Sequence, residues 1–299
     1  MGALGYLNRK ILRNRIRKAV RKPIAYVWLF LVLFYFAAVP MSLKMTVETL
    51  GADSPEGLVT VLTVFALWSI PANLIAYSRR KGLLYRNCDV QFLFQSPLDP
   101  KKILLYAHLK TLAVQALLNL FAVVCGRLLF HVEAWKMAVY FLFSIFLENI
   151  LEACLVVVLY GSERLGEKHR SLVAKGTYGL AGILALMGIY AYLTGGLEIR
   201  ALTAWLHSDM VQMVPVAGWY VAVLRMLFLG PTAVNLAGAC CYVLLFVLVV
   251  AAAWRMECTG GFYEDAMKFA EDYEAVVESR RQGNNRRRLG RKEKFGRAR

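Results

Sequence analysis

Charge is scarce in this chain, and acid is scarcer still. Asp and Glu number 20 against 36 Lys and Arg, and charged residues make up 19% of the sequence. Soluble domains carry about 25% charged and about 45–50% apolar residues, whereas hydrophobic residues are 59% here. The polar surface that two water-soluble domains would need is missing. Long apolar runs separated by short charged segments place all 299 residues in one polytopic bundle.

Residues that carry chemistry are also few. The four histidines (His108, His131, His169, His207) are scattered, and none is spaced helically from a carboxylate. The six cysteines (Cys88, Cys125, Cys154, Cys240, Cys241, Cys258) form no CxxC. Four of them lie in apolar runs, where a thiol behaves as a small hydrophobe, which argues against a disulfide framework or a zinc site. HExxH and GxSxG are absent. The stretch "GSERLGEKH", Gly161 to His169, nearly spells a phosphate loop. It lacks the Lys-Ser/Thr ending and follows an apolar span, not a strand. No catalytic residue, metal or cofactor is therefore expected, and any ATP hydrolysis must come from another chain. No aromatic-interleaved RNA motif accompanies the basic tail, so nucleic acid is not the expected partner. Basic clusters beside apolar runs point instead to anionic lipids.

What is present is membrane-spanning sequence. A helix needs about 20 apolar residues to cross the hydrocarbon, and spans are read at 24–43, 58–77, 111–130, 137–160, 177–194 and 233–254. Eight basic residues between Arg9 and Lys22 precede the first. Its long run and the lack of a small-x-small cleavage site mark a retained span, not a signal peptide. Lys and Arg set the direction. The N-terminal segment, 78–110, 161–176 and the tail "NNRRRLGRKEKFGRAR" are basic, while the intervening loops are not. The expected fold is all-α with six spans, N-in and C-in. Residues 1–22 read as a basic interfacial helix or a basic leader, 23–254 as the transmembrane domain, and 255–299 as a cytosolic amphipathic helix with a basic tail. In that helix Ala266, Phe269, Ala270, Tyr273 and Val277 recur at helical spacing.

One segment resists the count. "MVQMVPVAGWYVAVLRMLFLG", Met210 to Gly230, is apolar enough for a seventh span, but a seventh crossing would strand the basic tail outside. Pro215, Gly218 and the Gly230-Pro231 break suit a re-entrant helix on the outer side, which requires packing against protein.

Polar residues inside spans are the candidate path for a substrate. Glu148 and Glu152 stand four apart on one helical face, and Gln115 and Asn119 form a similar pair in the third span. Mid-membrane carboxylates cost about 2.5–3.5 kcal/mol on insertion scales, so they should face the bundle interior. Counting about 1.5 Å per residue from the inner ends puts Asn119 and Glu152 at equal depth, which allows a hydrogen bond between them if the third and fourth spans are neighbours. Either a functional site or interhelical glue fits the pattern. A glutamate-type intramembrane protease does not, because no histidine lies mid-span.

The segment "CDVQFLFQSPLDPKKILLYAHLK", Cys88 to Lys110, joins the second and third spans. Asp99 and Pro100 suit an N-cap and first helical position, so the third helix starts outside the membrane. Upstream, Asp89 can cap a short helix bearing Val90, Phe92, Leu93 and Phe94 and ended by Pro97. Such a helix either rests on lipid or plugs into another protein.

"DVQFLFQSPLDPKKILLY" resembles the stretch after the second span in a family of bacterial ATP-binding-cassette (ABC) exporter permeases, and "GFYEDAMKFAED" resembles that family's stretch after the sixth. The resemblance covers essentially the whole chain. It implies a permease subunit in the bacterial cytoplasmic membrane, moving substrate with ATP hydrolysed by a separate ATPase subunit. It also implies that the helix after the second span is a coupling helix, with Asp89, Phe92, Leu93, Phe94, Pro97 and Pro100 at the matching positions. Family members tend to continue into further spans, so a second permease copy or half is expected, or else the reading frame is truncated. The rival reading is a non-transporting scaffold or regulatory protein that docks a cytosolic partner through the same helices.

Overall fold

The computed structural model describes residues 10, 13, 14, 17, 20–80, 85, 87–109, 111–161, 166–258 and 260–296; the side chains of 87–89, 113 and 281–296 are not described. The interfacial helix expected over 1–22, the 162–165 portion of the near phosphate loop and the side chain of Asp89 thus lie outside the described residues. The fold is all-α, with no strand among the described residues. Among the described residues six helices are long and apolar enough to cross a membrane: Pro23–Thr49, Pro55–Ser78, Pro100–Leu128, Ala134–Tyr160, Glu167–Thr194 and Ala233–Arg255.

Local chemistry explains where these helices start. Pro23 and Pro55 occupy the first turn of the first two spans, where proline's missing N–H costs nothing and its fixed φ suits the helix. Asp99 Oδ1 accepts the Lys101 amide at 2.9 Å ahead of Pro100. Thr232 caps the sixth span by accepting from the Asn235 amide at 3.2 Å. The third span comes in two helical pieces, Pro100–Leu109 and Leu112–Leu128. The fourth contains a π-helical turn, Phe143–Glu148, an insertion frequent at functional sites.

Two cores hold the bundle. At one end Leu58, Val59, Phe130, Met137, Val221 and Phe228 pack together. At the other, which carries the basic segments, Tyr77, Ile103, Leu104, Tyr160, Phe262 and Ala266 do so. The first span lies at the edge of the bundle and reaches the first core only through the half-buried Val47. Pro40 is its one buried residue, and its inward contacts include Phe36 edge-on to Phe121, with centroids 5.3 Å apart.

Between the fifth and sixth spans the chain forms the helix Ile199–Leu206, a single turn Asp209–Gln212 and the return helix Ala217–Leu229. The return helix buries Ala217, Gly218, Tyr220, Val221, Ala222, Leu224 and Phe228, packing chiefly against the second and sixth spans. Close approach needs small residues. A Cβ on Gly218 would stand 2.2 Å from the Val211 carbonyl oxygen, and one on Gly238 would stand 2.5 Å from the Ala222 Cβ. Val216 turns the chain at φ 67°, ψ −67°, with the Ala217 amide reaching the Pro215 carbonyl at 2.8 Å. This is the rare γ-turn of positive φ, strained for any L-residue and more so for a β-branched one.

Candidate functional site

Two places bring the sequence's candidate residues together: a polar cavity inside the bundle and an aromatic knob at its basic end.

The cavity, about 150 Å³, lies where the two cores meet and is walled by the second, third, fourth and sixth spans and the return helix. Gln115, Asn119, Glu148 and Glu152 all border it. Glu152 is the hub. The Gln115 side-chain amide donates to its Oε2 at 2.6 Å, Asn73 donates to Oε1 at 3.1 Å, and the Tyr77 hydroxyl also donates to Oε1. Glu148 Oε2 accepts from Ser144 at 2.5 Å and from Tyr220 of the return helix at 3.3 Å. The π-helical turn brackets that pair, and Asn149 closes it by donating to the Ser144 and Ile145 carbonyls at 3.0 Å each.

The expected Asn119–Glu152 hydrogen bond is not formed. Asn119 Oδ1 accepts from Tyr140 at 3.3 Å, and Gln115 meets Glu152 in its place. The third helix does start at Pro100, as its Asp99-Pro100 signature predicts, but the third and fourth spans pack one turn away from the register that equal depth implied. Sequence reasoning missed Asn73, Tyr77, Tyr220 and Tyr242. A single polar residue in a span carries no periodicity, and an interior tyrosine reads as an apolar one. It also missed His108, which is 3% exposed and close enough to Glu152 for their charges to interact. Among the described residues, no group of three or more His, Cys, Asp or Glu stands together as a metal would require.

The knob contains the segment between the second and third spans. Its helix is Asn87–Leu93, so Asp89 lies within the helix and not at its cap. The helix ends at Leu93, before Pro97, where Ser96 Oγ donates to the Leu93 carbonyl at 2.6 Å. The aromatic side chains divide sharply. Phe92 is 75% exposed, while Leu93 is 6% exposed. Phe94 stacks on Tyr263 at 4.3 Å and meets Tyr85 and Phe262 edge-on at 5.2 and 6.2 Å. Phe262, Ala266 and Ala270 are buried, so the helix Tyr263–Gly296 starts against the bundle while Tyr273 is exposed.

Two cations tie this knob to the spans. Arg80, itself at φ 51°, donates to the Tyr160 and Gly261 carbonyls at 3.1 and 2.9 Å and pairs with Asp265 at 2.9 Å. Lys101 donates to the Trp254 and Met256 carbonyls at 3.2 and 3.4 Å. The ends of the second, third, fourth and sixth spans thus meet in one collar. The two stretches that carried the family resemblance, far apart in sequence, pack on each other within it.

Fold and composition define a multi-pass membrane protein. Residues 1–299 match a family described as "Putative ABC exporter", and the chain belongs to that family. Neither a curated protein nor a solved structure matches it.

Proposed function

We propose that this chain is the permease subunit of an ABC exporter in the bacterial cytoplasmic membrane, driven by a separate cytosolic ATPase. The observation that carries the reading is the exposed Phe92 on a short helix whose neighbours Tyr85, Leu93, Phe94, Phe262 and Tyr263 are packed together within the knob. A solvent-exposed aromatic on an ordered helix is an unfilled anchor, and a few such anchors dominate protein interfaces. The basic end faces the cytosol in this reading, as the distribution of Lys and Arg favours, and its cations suit an anionic leaflet. The hairpin around Val216 is then re-entrant from the outer side: its feet lie beside Thr60 and Lys136, near the outer ends of the second and fourth spans, and its tip borders the cavity.

Mechanically, ATP-driven closure of the ATPase dimer pushes on Phe92 and the knob. Arg80 and Lys101 pass the displacement to the ends of four spans. Three of these, the second, third and fourth, supply Asn73, Tyr77, Gln115 and Glu152 to the cavity, so its hydrogen bonds re-form as access switches from inside to outside. The chain itself needs no catalytic group. A second copy of the chain, or a second permease half, supplies the other ATPase contact.

The test is co-purification. The tagged chain, extracted in mild detergent, should bring down a protein with nucleotide-binding motifs and ATPase activity, and Phe92→Ala should release it at equal permease levels. Undiminished recovery with Phe92→Ala would remove the docking reading.

A further inference from the structure

We propose that the cavity takes a cationic amphiphile, with an ammonium head against Glu148 and Glu152 and an aliphatic chain in the groove beside the fifth span. This names a substrate class for the export reading and rests on that reading for the direction of movement alone.

The cavity wall contains two glutamates and, among the described residues, no lysine, arginine or histidine. Its hydrogen bonds leave acceptors over. Gln115 Oε1 and the Tyr242 hydroxyl oxygen are buried without a partner, and Tyr242, 2% exposed, forms part of the wall. An ammonium group has donors and no acceptor, so it complements two carboxylates and these leftover oxygens. An anionic head would meet like charge in a site of low dielectric, and a neutral one would add no charge to what His108 can offer Glu152 from outside the wall.

The wall is also shared with a second hollow. An almost wholly apolar groove of about 350 Å³ runs between the fourth and fifth spans, under the hairpin tip at Pro215 and Val216. Ile70, Leu74, Leu155 and Val216 border both the groove and the cavity. A polar cavity that shares a wall with an apolar groove has the two-part chemistry of an amphiphile and provides a place for each part. The strained turn at Val216 stands at the junction, as expected where strain is kept for function.

The probe is a photoreactive dodecylammonium, with the dodecanoate of the same chain as its control, applied to the purified full chain in lipid nanodiscs without ATPase. The ammonium should cross-link residues 70–77, 151–159 and 214–217 and be displaced by unlabelled dodecylammonium, while the carboxylate should not label them. Glu148→Gln and Glu152→Gln should each lower labelling about tenfold, as loss of a charge-assisted contact does. Leu155→Trp, which keeps both acids and fills the junction, should lower it too. Equal labelling by the two probes, labelling confined to other residues, or full labelling of the double glutamine variant would each overturn the proposal. If acid variants misfold, the comparison of probes on the unaltered chain still decides. Because no ATPase is present, failure here leaves the co-purification result standing, and failure there leaves this one.

Discussion

The knob and the cavity are built on opposite plans. The knob is apolar, assembled from two short stretches beside span ends, and leaves Phe92 exposed at its surface. The cavity is polar, assembled from five helices, and turns five donors inward onto two carboxylates. A surface that has to meet another protein keeps an anchor free, whereas a polar site inside a membrane has to satisfy itself when empty, since an unpaired polar group there is costly. In the proposed reading, exposure is the mark of the docking element, and inward-turned hydrogen bonding is the mark of the path.

The sharpest way to break this comparison is all-or-none. In a cysteine-free background, Ile199→Cys, at a position 68% exposed, should react with a membrane-impermeant thiol reagent from outside intact cells, and Gly166→Cys should not. External labelling at 166 would put knob and hairpin on the wrong sides and overturn the six-span topology.

Next in size is the contrast between two phenylalanines. Phe94→Ala empties an aromatic stack and should lower the amount of folded protein, by somewhat less than the about 3–5 kcal/mol of a fully buried phenylalanine. Phe92→Ala should leave the fold intact and cost docking about 2 kcal/mol, roughly a 30-fold loss of affinity. Thermal melts and ATPase recovery, measured on both variants, separate the two effects. Equal loss of ATPase with equal loss of stability would make the knob one structural unit with no dedicated anchor.

Gly218→Ala should cost about 1–3 kcal/mol by forcing the hairpin apart at the Val211 carbonyl. In the cavity, Glu148→Gln together with Glu152→Gln should cut transport about tenfold while ATPase recovery stays at its normal level, since the amide keeps hydrogen bonding but loses charge-assisted strength. Intact transport would reduce the two acids to glue.

The smallest effect concerns pH at the hairpin's foot. His207 shares a 2.7 Å hydrogen bond with Thr60, and its carbonyl accepts from Arg225 at 2.5 Å. Burial first, and the charge of Arg225 second, hold its pKa below the ordinary 6.5. The folded value is the depressed one, so the unfolded state binds more protons as the pH falls. The stabilisation is complete above 6.5 and is lost as pH falls toward the folded value. Amide exchange over residues 207–212, corrected for intrinsic rate, should quicken between pH about 7.5 and about 5.5, and His207→Gln should abolish the difference.

Much of this was legible in order along the chain. The six spans, the break at Pro97 to Pro100 and the apolar helix Asn87–Leu93 follow from local rules: apolar run length, proline at the first turn, an aspartate cap. Glu148 and Glu152 stood out because a charge in an apolar run has no local reason to be there. Asn73, Tyr77, Tyr220 and His108 gave no such signal, and the partner of Glu152 was misplaced by one helical turn because equal depth from the span ends does not fix the register of two packed helices.

The sequence by itself determined the all-α class, the number of spans and the basic bias of one end, because length, hydropathy and charge act residue by residue against the bilayer. Tertiary structure alone decided which phenylalanine faces out, which amide meets Glu152 and where a β-branched residue bends the hairpin. Those depend on the register and rotation of helices packed side by side, which no single helix specifies by itself.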